Sequence, residues 1–156
     1  MKKLIDNFVK SMLGISMAIV FILTFLQVVY RFILKLPLPW AQDIIRMAFV
    51  YSVFFGAAIC IDQHKHINVD ILIDTIPGKK GIVSKIVLNF VVLIFVLMLA
   101  YYGMQFMQAG KLQFASYLRI PMNWFYLSLP LSMACSAYYL IIKIVDGIKV
   151  LQKEGK

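Results

Sequence analysis

The side chains with the clearest potential for chemistry lie close together in the segment IDQHKHINVD, which runs from Ile61 to Asp70. His66 and Asp70 are four residues apart, a spacing that on a helix places two side chains on one face and can hold a metal ion. His64 and Asp62 stand in the same polar stretch. Because a His-x-His pair with scattered carboxylates is weak evidence for metal ligation, the sequence predicts no metal site here.

Other kinds of catalysis have equally little support in the sequence. No nucleophile stands beside a base, no glycine-rich loop could hold a phosphate, and no pair of carboxylates indicates acid–base chemistry. The paired histidines that a haem would need inside the apolar segments are absent. Cys60 and Cys135 fall in apolar segments without a Cys-x-x-Cys motif, which favours packing roles over a disulfide or a redox centre. The sequence therefore predicts a protein that is not an enzyme and binds no cofactor.

The composition identifies the environment in which the chain folds. Hydrophobic residues make up 62% of the 156 residues, more than a soluble domain of this size buries. Four stretches lack Asp, Glu, Lys and Arg, and three of them are long enough to span about 30 Å of hydrocarbon as helices. The alternating pattern of an outer-membrane barrel is absent, which leaves helices as the spanning elements. The four stretches are residues 11–30, 47–61, 86–110 and 120–142.

The predicted fold is an all-α integral membrane protein, with a single four-helix transmembrane domain over residues 1–156. The first apolar run is too long for a cleaved signal peptide, so we expect a retained transmembrane helix. The second run is short, and it spans the membrane only if its helix begins near Trp40 with Asp43 and Arg46 at the membrane surface. These residues are predicted to form an interfacial amphipathic segment before helix two. The predicted helices cover about residues 8–34, 40–62, 82–110 and 121–148.

Two similar motifs mark the points where the chain re-enters the membrane. LPLPW ends at Trp40 and IPMNW ends at Trp124, so both loops close with proline and tryptophan. Proline suits the first turn of a helix, and tryptophan suits the headgroup layer. Trp40, Asp43, Arg46 and Trp124 are therefore predicted membrane-interface anchors. The repetition fits either two related helix pairs or two independently favourable re-entry points.

The basic residues are divided unevenly between the two ends of the predicted bundle. Eleven lie near the termini or between helices two and three, and five lie in the other two loops. The positive-inside rule therefore predicts that both termini are cytoplasmic. Basic flanks facing anionic membrane lipids account for the net charge of +9, so no nucleic-acid partner is predicted.

The polar residues within the apolar runs are uncharged. A pump or ion pathway usually places ionisable residues inside the membrane, and the four runs contain no Asp, Glu, Lys or Arg. Ser128, Ser132 and Ser136 recur every four residues and would share one face of helix four. Small hydroxyl residues at this spacing let another helix approach closely. That helix could belong to a large partner subunit or to the chain's own bundle, and the sequence leaves both open.

The stretch VVYRFILKLPLPWAQDIIRMAFVYSVFFGAAICIDQHKHINVDIL, residues 28–72, resembles the small membrane subunit of tripartite ATP-independent periplasmic (TRAP) transporters, the DctQ-like family. The later segment IPMNWFYLSLPL resembles the entry to that family's fourth helix. This chain has Gln42 and Asp43 where the family often has two acidic residues. The matching positions are Arg31, Trp40, Asp43, Arg46, Gly56, Ala57, His66, Ile67, Val69, Asp70, Pro121, Trp124 and Pro130.

The resemblance implies a helper subunit of the bacterial cytoplasmic membrane. In such systems a periplasmic binding protein delivers an organic acid, such as sialic acid or a C4-dicarboxylate, to a large subunit that imports it with sodium ions. The small subunit braces the large one, and His66, Asn68 and Asp70 form a cytoplasmic loop motif. A small four-helix membrane oxidoreductase is the main alternative, but it needs external cysteine pairs that this chain lacks. A stand-alone small transporter is a second alternative, but it needs an acidic residue within the membrane, which the four apolar runs lack.

Four basic residues in the two external loops face the compartment of the binding protein. Arg31, Lys35, Lys111 and Arg119 are therefore expected to help dock that partner, because a carrier of organic acids often has an acidic docking face. The alternative is structural. Arg31 would then meet the negative pole of the helix-one dipole, and the other three would reach lipid phosphates.

Overall fold

The computed structural model describes residues 2–62 and 79–154. Four helices in these ranges are long and apolar enough to cross a membrane, which confirms the predicted fold class. The loop motif of His66, Asn68 and Asp70, together with His64, lies outside the described residues. The elements are α1 (Lys2–Val29), which continues as a π-helical turn (Tyr30–Leu34), α2 (Pro39–Asp62), α3 (Lys79–Ala109), a 3-10 turn (Gly110–Leu112), the short α4 (Asn123–Tyr126) and α5 (Ser128–Glu154).

One end of the bundle carries Lys2 and Glu154, and we call it the terminal end. The helices extend further at this end than the sequence predicted. Helix α1 begins at Lys2 rather than near residue 8, α3 begins at Lys79 rather than near 82, and α5 runs to Glu154 rather than 148. Charged residues mark where the hydrocarbon layer ends, but they do not interrupt backbone hydrogen bonds. A helix can therefore continue into the headgroup layer with its backbone hydrogen bonds intact.

The interfacial segment predicted before helix two is not a separate element. Helix α2 begins at Pro39 and is continuous through Trp40, Asp43 and Arg46 to Asp62. Proline at the first helical position loses no hydrogen bond, because that N–H has no partner within the helix. The predicted start near Trp40 is correct, and the amphipathic residues form the first two turns of the spanning helix itself.

The entry to the last span is interrupted where α4 gives way to α5. Leu127 separates the two helices, although its own N–H still donates to the Asn123 carbonyl at 2.9 Å. Pro130 lies three residues later and has no N–H to donate to Tyr126, and its ring crowds that carbonyl. The proline therefore accounts for the local break in an otherwise continuous span.

The spanning helices pack in the spatial order α1, α2, α5, α3. Helix α2 contacts both α1 and α5, and α5 contacts α3 along its length, while α1 and α3 do not touch within the described residues. Close approach of α3 and α5 uses glycine, since a methyl group at Gly103 would lie 3.0 Å from Leu129, and one at Gly147 would lie 3.0 Å from Ile86. Helices α1 and α3 are therefore the outer members of the bundle.

Two apolar clusters occupy the helix interfaces. One fills the space between α1 and α2, and the other joins α2, α3 and α5. Outside these clusters, α1 and α3 expose large apolar side chains along most of their length, including Phe25 and Phe106. Such surfaces are stable against lipid or against another membrane protein, but not against water. The buried residues are Val9, Phe55 and Ala58 in the first cluster, and Ile61, Val96, Met133, Ala137, Tyr139 and Leu140 in the second.

Polar contacts tie three helices together at the terminal end. The Lys2 ammonium lies 3.2 Å from the Asp62 carboxylate, which links the start of α1 to the end of α2. The Lys143 ammonium donates to the Ile61 carbonyl, which links α5 to the same point. Ile61 is among the last carbonyls of α2, which have no partner within the helix, and a cation is a suitable donor to them.

Candidate partner-docking surface

The loop between α3 and α4 forms a short hairpin at the end of the bundle that carries Trp40 and Trp124. We call this the tryptophan end. The Ala115 N–H donates to the Ile120 carbonyl at 2.9 Å, and the Met122 N–H donates to the Gln113 carbonyl at 2.8 Å. These two bonds close the hairpin over residues 113–122. The loop therefore has a defined shape on which side chains can be presented.

Asp43 of α2 fixes the tip of this hairpin. Its Oδ2 atom accepts hydrogen bonds from the backbone N–H groups of Tyr117 at 2.8 Å and Leu118 at 3.0 Å. Asp43 as a whole is only 6% exposed, so these charge-assisted bonds lie largely out of water. The sequence predicted Asp43 as a membrane-surface anchor. The structure corrects this, because the side chain is buried and holds a loop 74 residues away.

The two cations of the hairpin region are exposed. Lys111 lies in the 3-10 turn that precedes the hairpin, and Arg119 directly follows the residues held by Asp43. Arg119 has a φ of 49°, in the left-handed region that non-glycine residues seldom occupy. Such a conformation costs on the order of 1 kcal/mol and persists only where the surrounding contacts impose it. The Asp43 contacts therefore set the backbone from which Arg119 is presented.

The remaining two predicted docking cations lie beside a cleft at the same end. Arg31 belongs to the π-helical turn, and Lys35 follows it with a φ of 52°. Both side chains line a cleft of about 620 Å³ that also includes Tyr117 from the hairpin. Since Tyr117 is held by Asp43, the loop after α1 and the loop after α3 meet at one surface.

The predicted anchors occupy the same end with different degrees of exposure. Trp40 and Trp124 are the second residues of α2 and α4, and both are exposed, as is Arg46. The Tyr51 hydroxyl donates to the Trp124 carbonyl at 2.9 Å and so fixes α4 against α2. The two tryptophans thus begin the two re-entering helices at one end of the bundle, in positions that suit the headgroup layer.

The three serines of α5 face the chain's own helices. Ser128, Ser132 and Ser136 are completely buried within the chain's own bundle. Their hydroxyls donate to backbone carbonyls three or four residues earlier in the chain, at 2.8, 3.0 and 2.9 Å, and not to a neighbouring helix. The predicted large-subunit interface at these residues is therefore corrected to internal packing. Small residues on one helix face allow close packing of a neighbouring helix, which accounts for their spacing.

A metal site finds no support in the described ranges, where no three side chains of His, Cys, Asp or Glu lie close enough together to hold an ion. The tryptophan end presents polar residues and exposed cations at the edge of an apolar bundle. This arrangement suits encounter with a water-soluble protein that carries negative charge.

Comparison with known proteins identifies the family of the chain. The sequence model described as "Tripartite ATP-independent periplasmic transporters, DctQ component" matches residues 20–150. The chain belongs to this DctQ family. It is therefore a multi-pass membrane protein of a transporter-subunit family and not an enzyme, and the family's small permeases work with a large permease subunit.

Three relatives of this DctQ-family chain show which transporter proteins its sequence is similar to. It is 25% identical to the sialic acid TRAP transporter small permease protein SiaQ of Vibrio cholerae, over 97% of this chain and 87% of that protein. It is 26% identical to a putative TRAP transporter small permease protein of Haemophilus influenzae, over 94% of this chain and 89% of that protein. It is also 18% identical to the sialic acid TRAP transporter permease protein SiaT of Haemophilus influenzae, over 83% of this chain but 20% of that protein.

Proposed function

We propose that this DctQ-family chain is the scaffold subunit of a sodium-coupled importer of an organic acid in the bacterial inner membrane. It braces a large transport subunit and helps to dock a periplasmic binding protein. The observation that carries the scaffold role is the arrangement α1, α2, α5, α3, in which two outer helices expose nearly continuous apolar surfaces. A bundle with two such faces can contact a membrane partner and lipid at the same time.

The comparison with SiaT supports a large partner. A segment equivalent to most of this chain makes up only a fifth of that permease protein. In that protein the small-subunit part is joined covalently to a much longer chain. A separate small subunit would make the same contacts without a covalent link.

The lack of charge in the spans supports a bracing role over a transport site. The four apolar runs contain no Asp, Glu, Lys or Arg with which to bind sodium or a carboxylate. We therefore assign the importer's substrate and ion sites to the large subunit. The substrate classes that we propose are sialic acid, in keeping with SiaQ, and C4-dicarboxylates, in keeping with the sequence resemblance.

Reconstitution tests the scaffold role. The large subunit and the binding protein from the same operon are placed in proteoliposomes with and without this chain, under an inward sodium gradient. We expect uptake of radiolabelled sialic acid or succinate only when this chain is present and sodium is supplied. Equal uptake without the chain would overturn the scaffold role, and equal uptake without sodium would overturn the coupling.

For docking we propose Lys111 and Arg119 as the principal cations, because both are exposed at the tryptophan end, Arg119 within the hairpin and Lys111 just before it. Exposed charges chiefly accelerate encounter and contribute about 1 kcal/mol or less each. Lys111→Glu with Arg119→Glu should raise the half-saturating concentration of the binding protein several-fold and keep the maximal transport rate. The matched control reverses Lys3 and Lys149, two exposed lysines at the terminal end. An unchanged concentration dependence, or an equal change in the control, would refute docking at the hairpin.

A further inference from the structure

The cleft at the tryptophan end combines two kinds of lining. Arg31 and Lys35 supply two cations, and Gln27 and Gln42 add amide groups. The remaining wall is largely apolar, formed by prolines and by side chains such as Phe32. This cleft opens where α1 and α2 reach the end of their apolar spans, and its charge lies next to a surface suited to hydrocarbon.

The sequence builds this cleft from one face of α1. Thr24, Gln27, Val28 and Arg31 follow the spacing of three and four residues that places side chains in one row. The π-helical turn then carries the chain to Lys35, whose left-handed conformation ends the helix. The Leu36 N–H donates back to the Tyr30 carbonyl at 3.2 Å, which stabilises this ending. Both cations are thereby kept beside the cleft.

Neither cation is neutralised within the described part of the chain. The side chains of Arg31 and Lys35 form no ion pair or hydrogen bond there, and no acidic residue lines the cleft. The nearest acid in sequence, Asp43, already accepts two hydrogen bonds from the hairpin. Two adjacent cations without a carboxylate partner attract an anion, and arginine in particular binds phosphate with paired hydrogen bonds.

The apolar wall decides what kind of anion fits. A soluble carboxylate or free phosphate gains nothing from Phe32, which is 73% exposed, or from the neighbouring leucines. A phospholipid satisfies both halves of the lining, with its phosphate at the cations and its acyl chains along α1. A cleft of about 620 Å³ is large enough to hold a lipid headgroup.

We propose that the cleft between the end of α1 and the start of α2 is a binding site for an anionic phospholipid, with Arg31 and Lys35 holding the phosphate. The Gln27 amide donates to the Gln42 carbonyl oxygen at 3.3 Å across the same cleft. A lipid bound here therefore bridges α1 and α2 where the 35–38 connection has no regular secondary structure. The site is independent of whether the hairpin docks a binding protein.

The test uses the full chain in detergent with added phosphatidylglycerol, and native mass spectrometry to count retained lipid. Arg31→Gln with Lys35→Gln should weaken phosphatidylglycerol binding about tenfold relative to the wild type. Lys3→Gln with Lys149→Gln makes the same charge change at two exposed lysines of the terminal end and should leave binding unchanged. Arg31→Lys should retain most of the binding, which separates loss of charge from misfolding.

Three outcomes would overturn the proposal. Retention of phosphatidylglycerol by the Arg31 and Lys35 variant would remove these residues from the site. An equal loss in both double variants would indicate general surface charge instead of a defined cleft. Equal binding of zwitterionic phosphatidylcholine, or full competition by inorganic phosphate at the same concentration, would exclude a site for an anionic lipid.

Discussion

At the scale of single residues, the buried carboxylate of Asp43 connects α2 to the hairpin. It satisfies two backbone N–H groups of the hairpin, and each would otherwise have to be met by water or remain unpaired. A single oxygen of the carboxylate, Oδ2, accepts both hydrogen bonds.

Asp43→Ala should destabilise the folded chain by about 2–3 kcal/mol, because it leaves the N–H groups of Tyr117 and Leu118 without their acceptor. Asp43→Asn keeps an oxygen acceptor and should cost less. The measurements are thermal unfolding in detergent and the rate of proteolysis within the hairpin. Asp146→Ala is the control, since that exposed carboxylate lies 3.8 Å from Lys149 and its removal should change stability by less than about 0.5 kcal/mol. Equal effects of Asp43→Ala and Asp146→Ala would contradict the role of Asp43.

At the scale of elements, small residues set how closely the helices approach. Gly110 is buried in the 3-10 turn that follows α3, where a methyl group would lie 2.6 Å from Tyr126 Cδ2 and 3.0 Å from the Asn123 backbone nitrogen. The buried serines of α5 have a similar function between α2 and α3. In a lipid environment this close packing replaces much of the hydrophobic driving force that stabilises soluble bundles.

Gly110→Ala should therefore displace α4 from α3 and destabilise the chain by about 1–3 kcal/mol. Gly14→Ala provides the matched control, because nothing lies within 4 Å of the added methyl group. Alanine is the better helix former, so the control should be neutral or up to about 1 kcal/mol more stable. Thermal unfolding of the two variants in the same detergent gives the comparison. A Gly110→Ala protein as stable as the wild type would show that this contact is not tight.

Ser132→Leu should destabilise the chain even without any partner, since the larger side chain must fit into a completely buried site. Overpacking of this kind costs about 1–3 kcal/mol. Ala134→Leu adds a large side chain to an exposed position of the same helix and should leave unfolding of the isolated chain unchanged. Measuring both variants alone and with the large subunit separates internal packing from a partner interface. An effect of Ser132→Leu only in the complex would restore the interface hypothesis for these serines.

At the scale of the whole molecule, the two ends of the bundle differ in chemistry. The terminal end is tied by Lys2, Asp62 and Lys143, and the tryptophan end carries the hairpin and the cleft. We propose that the terminal end is cytoplasmic, because the basic residues are in excess on that side. This orientation would present the hairpin to the periplasm, where a binding protein could reach it.

A fluorescent protein fused after residue 156 should be bright, and alkaline phosphatase at the same point should be inactive, because both termini are predicted to be cytoplasmic. Alkaline phosphatase fused after residue 118, in the hairpin, should be active. Activity measurements in intact cells report both fusions. The reverse pattern would invert the orientation and remove the docking proposal together with it.

The sequence alone determined which segments span the membrane and where the shortest one begins. Apolar runs of sufficient length must form helices in lipid because no water is available to their backbone groups, and the LPLPW motif marked the start of α2 correctly. The same local reasoning identified the family from short motifs. None of this depends on how the helices pack, since each run satisfies its own backbone hydrogen bonds.

Only the tertiary structure decided what the polar residues at these helices do. Asp43 could have faced the headgroup layer, and it is buried only because α2 packs beside a hairpin that begins some 70 residues later. The serines of α5 could have faced a partner, and the order of the helices turned them inward. The cleft requires Arg31, Gln42 and Tyr117 to meet from three segments. Helical periodicity gives the face on which a side chain lies, whereas its neighbour depends on contacts between distant segments, which no local pattern records.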